Sequence, residues 1–279
     1  MGNRNGGGVT TVAFQGERGA FSEDAVITFF GEAELFPRRY IADVFEAVLG
    51  NDVDFGVVPV ENSQAGIIND TYDLLLSYPL NIFGEINLRI SHCLMALPGE
   101  TLGGIKIIYS HPQALAQCEE FLRKLMAEIV PTYDTAGSAK RIKEANLKGS
   151  AAVASKRAAE IYGLEILAEG IETNPNNYTR FFVISRKKAE PSSKSKTSLV
   201  FGTKNLPGAL YDCLGVFATR NINLTKLESR PGRDKPWEYI FYVDFEGHID
   251  DPICREARAE LEKLTNFIKV LGSYPRAAV

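Results

Sequence analysis

Five short apolar runs, Val9–Phe14, Phe55–Val60, Ile105–Tyr109, Ala151–Ala154 and Phe181–Ile184, read as buried strands, and several pass at once into helix-like segments such as Ser22–Phe30. A strand covered on both faces shows no polar alternation, and a parallel neighbour has to be reached through a crossover, here a helix. The pattern therefore predicts an α/β fold with a mostly parallel sheet. The run Leu88–Leu97 opens a second such unit, and Glu172–Phe182 returns toward the first. That order predicts two lobes with a cleft between them, a usual place for a small ligand.

One composition break divides the chain. Arg186–Thr197, RKKAEPSSKSKT, is charged, rich in Ser and Lys, and without apolar periodicity, as a linker is. Beyond it the order changes to βαββαβ: strands over 198–203, 224–229, 238–245 and 267–273, with helices over 207–219 and 251–265. In the second helix Ile253, Ala257, Leu261 and Leu264 form one apolar stripe, Asp251 is placed to cap it, and Pro252 suits its first position. With 279 residues, 45% of them hydrophobic, the chain has material for two cores. The boundaries expected are 10–186, a linker over 187–197, and 198–279.

Charge and motif spacing exclude several classes. The net charge is −4 and no Lys/Arg block adjoins exposed aromatics, so no nucleic-acid footprint exists and a small molecule is the expected partner. No apolar run reaches the length that crosses a bilayer, and MGNRNGGGVTT lacks the apolar core of a secretory signal, which predicts a cytoplasmic protein without a membrane partner. The four cysteines and three histidines show no ligand spacing, so neither a disulfide framework nor a metal site is expected.

Four polar segments fall at strand ends, where open α/β sheets hold ligands. In Gly16–Glu23, GERGAFSE, two glycines after a strand let backbone N–H groups and Ser22 approach an anion at a helix start, or simply make a strand-to-helix turn. In Pro59–Ser63, PVENS, Asn62 and Ser63 offer hydrogen bonds without charge, while Glu61 fits a loop-holding role as well as a catalytic one. In Ser110–Cys118, SHPQALAQC, Gln113 and Gln117 share a helix face, Ser110 stands at the strand end and could cap the helix, and His111 serves turn packing or general base. In Asn177–Phe182, NYTRFF, Thr179 supplies a hydroxyl or an ordinary β-branched strand residue, Arg180 a fixed cation suited to a carboxylate, and Phe181 and Phe182 dry walls or core.

In this order and at these separations, GERGAFSE, PVENS, SHPQALAQC and NYTRFF resemble the catalytic domain of the bacterial prephenate dehydratases over nearly all of residues 10–186. LPGAL at 206–210 and NLTKLESRP at 223–231 resemble the phenylalanine-binding motifs of that family's ACT regulatory domain. The resemblance implies a two-lobed catalytic domain like periplasmic-binding-protein type 2 folds, followed by a ferredoxin-like βαββαβ ACT domain. It implies the conversion of prephenate to phenylpyruvate, water and CO2 in phenylalanine biosynthesis, with no metal and no organic cofactor. It assigns the central role to Thr179 and substrate contacts to Ser22, Asn62, Ser63, Ser110, Gln117, Arg180 and Phe181. A threonine hydroxyl is a poor proton store, so the role expected of Thr179 is a hydrogen bond to the departing hydroxyl.

For the second domain the resemblance implies inhibition by L-phenylalanine through Gly208, Ala209, Leu210, Asn223, Leu224, Glu228, Ser229, Arg230 and Pro231, at sites between paired domains of a homodimer or a dimer-of-dimers homotetramer. Glu228 and Arg230 also fit an exposed ion pair at a turn. Tyr211 stands where the family often has a β-branched residue. Two alternatives remain from the sequence: arogenate dehydratase, and a non-catalytic amino-acid sensor.

Overall fold

The computed structural model describes residues 9–232 and 239–277. The amino-terminal glycine-rich stretch and Glu238, the expected start of a strand, lie outside them. The described residues form two compact units, one of residues 9–71 and 86–181 and the other of 72–85, 182–232 and 239–277. The expected linear boundary therefore differs from the compact division, because a segment of fourteen residues, Tyr72–Glu85, groups with the carboxyl-terminal part.

The first unit opens with β1 (Thr11–Gln15), α1 (Phe21–Phe30), β2 (Glu34–Arg38), α2 (Ile41–Leu49), β3 (Phe55–Asn62) and the short β4 (Gly66–Ile67). Next come α3 (Asn69–Ser77) and β5 (Asn81–Arg89), each of which runs across the division between units. A second sheet is built by β6 (Cys93–Ala96), β7 (Ile107–Ser110), α4 (Pro112–Gln117), α5 (Glu119–Leu122), β8 (Glu128–Pro131), α6 (Thr135–Glu144), β9 (Ser150–Ala154), α7 (Lys156–Tyr162) and β10 (Glu165–Glu169). The chain then returns to the first sheet through β11 (Tyr178–Ser185). The first sheet has the order β2-β1-β3-β11-β5 with β4 on β3, and the second β10-β6-β9-β7-β8.

Pairing is parallel where helices make the crossovers: β1 with β2 and β3, and β7 with β8 and β9. It is antiparallel where β6 meets β9 and β10. The second sheet is covered on both faces, which is why β9 is buried throughout. Ala152 and Ala154 pack with Ala136, Ala139, Ile142 and Ala158 on one side, and Ala151 and Val153 with Leu115, Cys118 and Leu122 on the other.

The second unit carries β12 (Ser195–Thr203), α8 (Ala209–Ala218), β13 (Leu224–Pro231), β14 (Tyr239–Glu246), α9 (Pro252–Leu264) and β15 (Thr265–Pro275). Its antiparallel sheet runs β13-β14-β12-β15, in the expected βαββαβ order. The strand β12 begins at Ser195, so the last residues of the expected linker are sheet. Helices α8 and α9 cover one face with Cys213, Val216, Phe217, Cys254, Ala257 and Leu261 against Leu199, Phe201, Val243 and Phe245. Asp251 precedes α9, but its carboxylate accepts from His248 N at 2.9 Å rather than capping the helix.

Residues 72–85 are tied into this unit by polar contacts. Lys269 Nζ donates to the carbonyls of Leu75, Leu76 and Tyr78, each within 2.9 Å, at the carboxyl end of α3, where a cation is favoured. Buried Lys196 meets buried Glu85 at 2.8 Å, and Arg230 pairs with Asp73 at 2.8 Å. The four cysteines are free and buried, with thiols pushed up by burial, Cys118 to about 12 and Cys93 and Cys254 to about 11. No helix among the described residues is long and apolar enough to cross a membrane.

Candidate active site

Strand alternation explains the cleft wall. Along β11, Thr179 and Phe181 share one face, and with Pro59 and Asn62 of β3 they line a cavity of about 330 Å³ in the first unit. The second sheet contributes His92, just before β6, and His111, Gln113, Ala114 and Gln117 from α4 and its start. The loop into α1 contributes Ala20, Phe21 and Ser22, and the start of α6 contributes Asp134 and Thr135.

Asn62 organises the polar floor. Its Oδ1 accepts the backbone N–H groups of Gln64 and Ala65 at 3.1 and 2.9 Å. Because a backbone N–H can only donate, these bonds fix which end of the amide is oxygen. Nδ2 therefore faces Asn177 Oδ1 at 2.8 Å and Thr179 Oγ1 at 3.0 Å. The Thr179 hydroxyl is an acceptor in that bond, and its own proton remains to be directed into the cavity. Gln117 Oε1 accepts from Asn177 Nδ2 at 3.0 Å, and Gln117 Nε2 stands 3.4 Å from Asn62 Oδ1.

The loop before α1 is held by a fully buried carboxylate. Glu23 accepts from Gly19 N at 2.7 Å and from Arg18 and Arg157 at 3.0 and 3.1 Å. Burial opposes its ionisation, but these donors prevail and hold its carboxyl below the usual range. Gly19 is required here twice over: its φ is +84°, and a Cβ would stand 2.7 Å from the Ala158 Cα. Ala20, at the cap position of α1, cannot cap by a side chain, so the first backbone N–H groups of that helix open beside Ser22. Asp134 caps α6 by accepting from Gly137 N at 2.6 Å, and burial raises its carboxyl above the ordinary value.

Several residues expected at the site are placed elsewhere. Arg180 alternates to the opposite face of β11, 12% exposed and 3.9 Å from Glu61. Arg180 is not among the residues lining this cavity, where the sequence reading expects a carboxylate contact: the strand period that points Thr179 inward points Arg180 away. Ser110 is also off the wall, its hydroxyl donating to the Val153 carbonyl at 2.6 Å within the second sheet. It does not cap α4 either, because His111 holds the cap position and accepts from Gln113 N at 3.2 Å. Ser63 likewise lies outside the wall and pins β3 to β11, donating to the Asn176 carbonyl and accepting from Tyr178 N. Sequence reasoning missed His92 and Asn177 in return. His92 lies outside the four polar segments, and nothing in NYTRFF separates Asn177 from its neighbours as a site residue.

In the second unit, Gly208 at φ +86° precedes α8, which begins at Ala209, and Leu210 and Leu224 both pack against the helix-covered core. Asn223 is exposed, as are Ser229 and Pro231, while Glu228 and Arg230 are half-buried along β13. The Arg230–Asp73 pair replaces the expected exposed Glu228–Arg230 pair at a turn.

A family model for prephenate dehydratase matches residues 12–189, and one for the ACT domain matches residues 197–263. The chain belongs to the prephenate dehydratase family. The dehydratase is 45% identical over 275 residues to arogenate dehydratase/prephenate dehydratase 2, chloroplastic, of Arabidopsis thaliana, covering 95% of this chain and 72% of that protein. Among solved structures it is similar to the prephenate dehydratase of Arthrobacter aurescens in complex with L-Phe, at 34% identity and a TM-score of 0.87, covering 96% of this chain and 90% of that one. It is also similar to GqqA, described as a novel type of quorum quenching acylase, at 36% identity and a TM-score of 0.88, covering 95% and 98% of the two chains.

Proposed function

We infer that this dehydratase converts prephenate to phenylpyruvate, water and CO2, and that L-phenylalanine inhibits it through the ACT domain. The reaction breaks the ring C–OH bond and the bond from the ring to its carboxylate. The carboxylate's bonding pair enters the ring as CO2 departs, the hydroxyl oxygen leaves with its pair and gains one proton, and the ring becomes aromatic. Aromatisation drives the change, so the protein's task is to orient a dianion and to stabilise the departing oxygen.

One observation carries this reading: the Thr179 hydroxyl lies on the cleft wall with a lone pair taken by the Asn62 amide, so its proton is available for a leaving oxygen. Gln117 adds a second neutral donor. The open first turn of α1, with Ser22, suits a substrate carboxylate, as does any helix start presenting N–H groups. No lysine or arginine is among the residues described on the wall, so backbone dipoles and neutral donors take the part first expected of Arg180. The proton gained by the leaving oxygen comes from solvent in this account.

The catalytic domain over 10–186, the ACT domain over 198–279, a cytoplasmic setting and a homodimer or homotetramer complete the proposal, with phenylalanine bound near Gly208–Leu210 and Leu224. The test is to incubate purified full-length protein with prephenate and with arogenate in turn and follow aromatic product by absorbance. Phenylpyruvate from prephenate is expected; no aromatic product from either substrate would contradict the enzyme reading and favour a sensor.

A further inference from the structure

We propose that His92 is a positioning residue for the dehydration: its Nε2–H, donated to Gln117 Oε1, holds the Gln117 amide nitrogen turned toward Asn62 and the cleft. The proposal rests on the reading above, in which Gln117 touches the substrate. It concerns a residue that lies outside the sequence motifs and whose ring reaches the cavity wall.

The N–H groups of Gln64 and Ala65 fix Asn62 Oδ1 as an acceptor, so Asn62 Nδ2 donates and Asn177 Oδ1 accepts. Asn177 must then present Nδ2 to Gln117, which makes the atom at 3.0 Å from it the Gln117 oxygen. His92 Nε2 lies 3.0 Å from that same oxygen. An acceptor meeting an acceptor would repel, so Nε2 carries the proton and Nδ1 is bare. His92 Nδ1 is buried without a hydrogen-bond partner, as an imidazole acceptor can be at less cost than a buried N–H.

The ring is held in this pose from several sides. Glu172, a buried carboxylate 3.5 Å from Arg89, accepts the His92 backbone N–H at 2.9 Å, and Phe21 stands edge-on to the imidazole at 5.3 Å between centroids. Burial lowers the affinity of the imidazole for a second proton, outweighing the hydrogen bond to Gln117 and the charge of Glu172. With two donors converging on Gln117 Oε1, a flipped amide would face both with its own N–H groups. Removing His92 leaves Asn177 and the longer contact from Gln117 Nε2 to Asn62 Oδ1, at 3.4 Å, to oppose the flip.

Two measurements on the full-length chain test this. The first is NMR of protein labelled with 15N-histidine, which has three histidines to assign. The expected result is a His92 ring that carries its proton on Nε2 and is bare at Nδ1 at neutral pH. A ring protonated at Nδ1 alone would overturn the proposal, and this readout holds whatever substrate the protein uses. The second is kinetic. His92→Leu should lower kcat/KM for prephenate by about tenfold or more, and His92→Gln, which returns an N–H near the same place, should recover most of the loss. In a Gln117→Met background, His92→Leu should cost little further. An undiminished loss in that background would show that His92 does not act through Gln117. A wild-type chain inert toward prephenate would sink the proposed function, while the NMR result would still report the amide polarity.

Discussion

Asn62 Nδ2 donates to Thr179 Oγ1 at 3.0 Å, across 117 residues of sequence, through an amide whose orientation two backbone N–H groups dictate. That bond decides what the threonine can do. A hydroxyl whose lone pair is already engaged by a donor turns its proton outward, and here outward is the cleft.

Replacing Asn62 by Asp keeps the acceptor for Gln64 and Ala65 but removes the donor to Thr179. The hydroxyl should then donate to the new carboxylate and turn its proton away from the substrate. The expected outcome for Asn62→Asp is a fall in kcat of about a hundredfold, the usual cost of losing one oriented donor at a developing oxyanion. Steady-state kinetics with prephenate checks this, with circular dichroism to show that the chain remains folded.

Arg180 faces away from the cavity, so Arg180→Met should act on stability rather than on substrate binding. The expected change in KM is less than about threefold, with a lower Tm because Glu61 loses a partner. A rise in KM of tenfold or more with unchanged stability would restore the direct carboxylate contact.

Asp24, in the first turn of α1, has its carboxyl pushed up to about 6, chiefly by burial, although Arg157 stands 3.7 Å away. Its ordinary value is 3.8. Between these values the folded chain keeps a proton that the unfolded chain sheds, so stability contributed by this group falls as pH rises from about 4 to 6 and stays lost above that. Asp24→Asn should therefore match the parent near pH 3.8 and exceed it at pH 7. The gain is expected to be about 1–2 kcal/mol once its partial exposure is allowed for. Denaturant titrations at the two pH values check the sign.

Much of this architecture was legible because buried parallel strands and their helices leave contiguous apolar runs, and βαββαβ order survives in the spacing of such runs. Thr179, Asn62 and Gln117 stand out in the sequence through the family resemblance of their motifs, and the structure brings the three to one cavity. Arg180 falls outside the lining of the cavity because one position along β11 exchanges the cleft for the opposite face, a parity that residue type does not show. Ser110 and Ser63 misled for a related reason, since a short hydroxyl side chain at a strand end serves the backbone as readily as a ligand. His92 and Asn177 could not be found without coordinates, because their importance lies in which amide each one faces. The grouping of 72–85 with the second unit was equally hidden, because Lys269, Lys196 and Arg230 reach their partners across more than a hundred residues.

The most direct measurement is single-turnover conversion of prephenate by Thr179→Val, with Thr179→Ser alongside. Valine preserves the shape and strand propensity of threonine while deleting the hydroxyl, and serine restores it. The account predicts a rate for Thr179→Val lower by about two orders of magnitude or more, with substrate binding largely kept, and substantial recovery in Thr179→Ser. A Thr179→Val chain that turns over prephenate at close to the parent rate would contradict it.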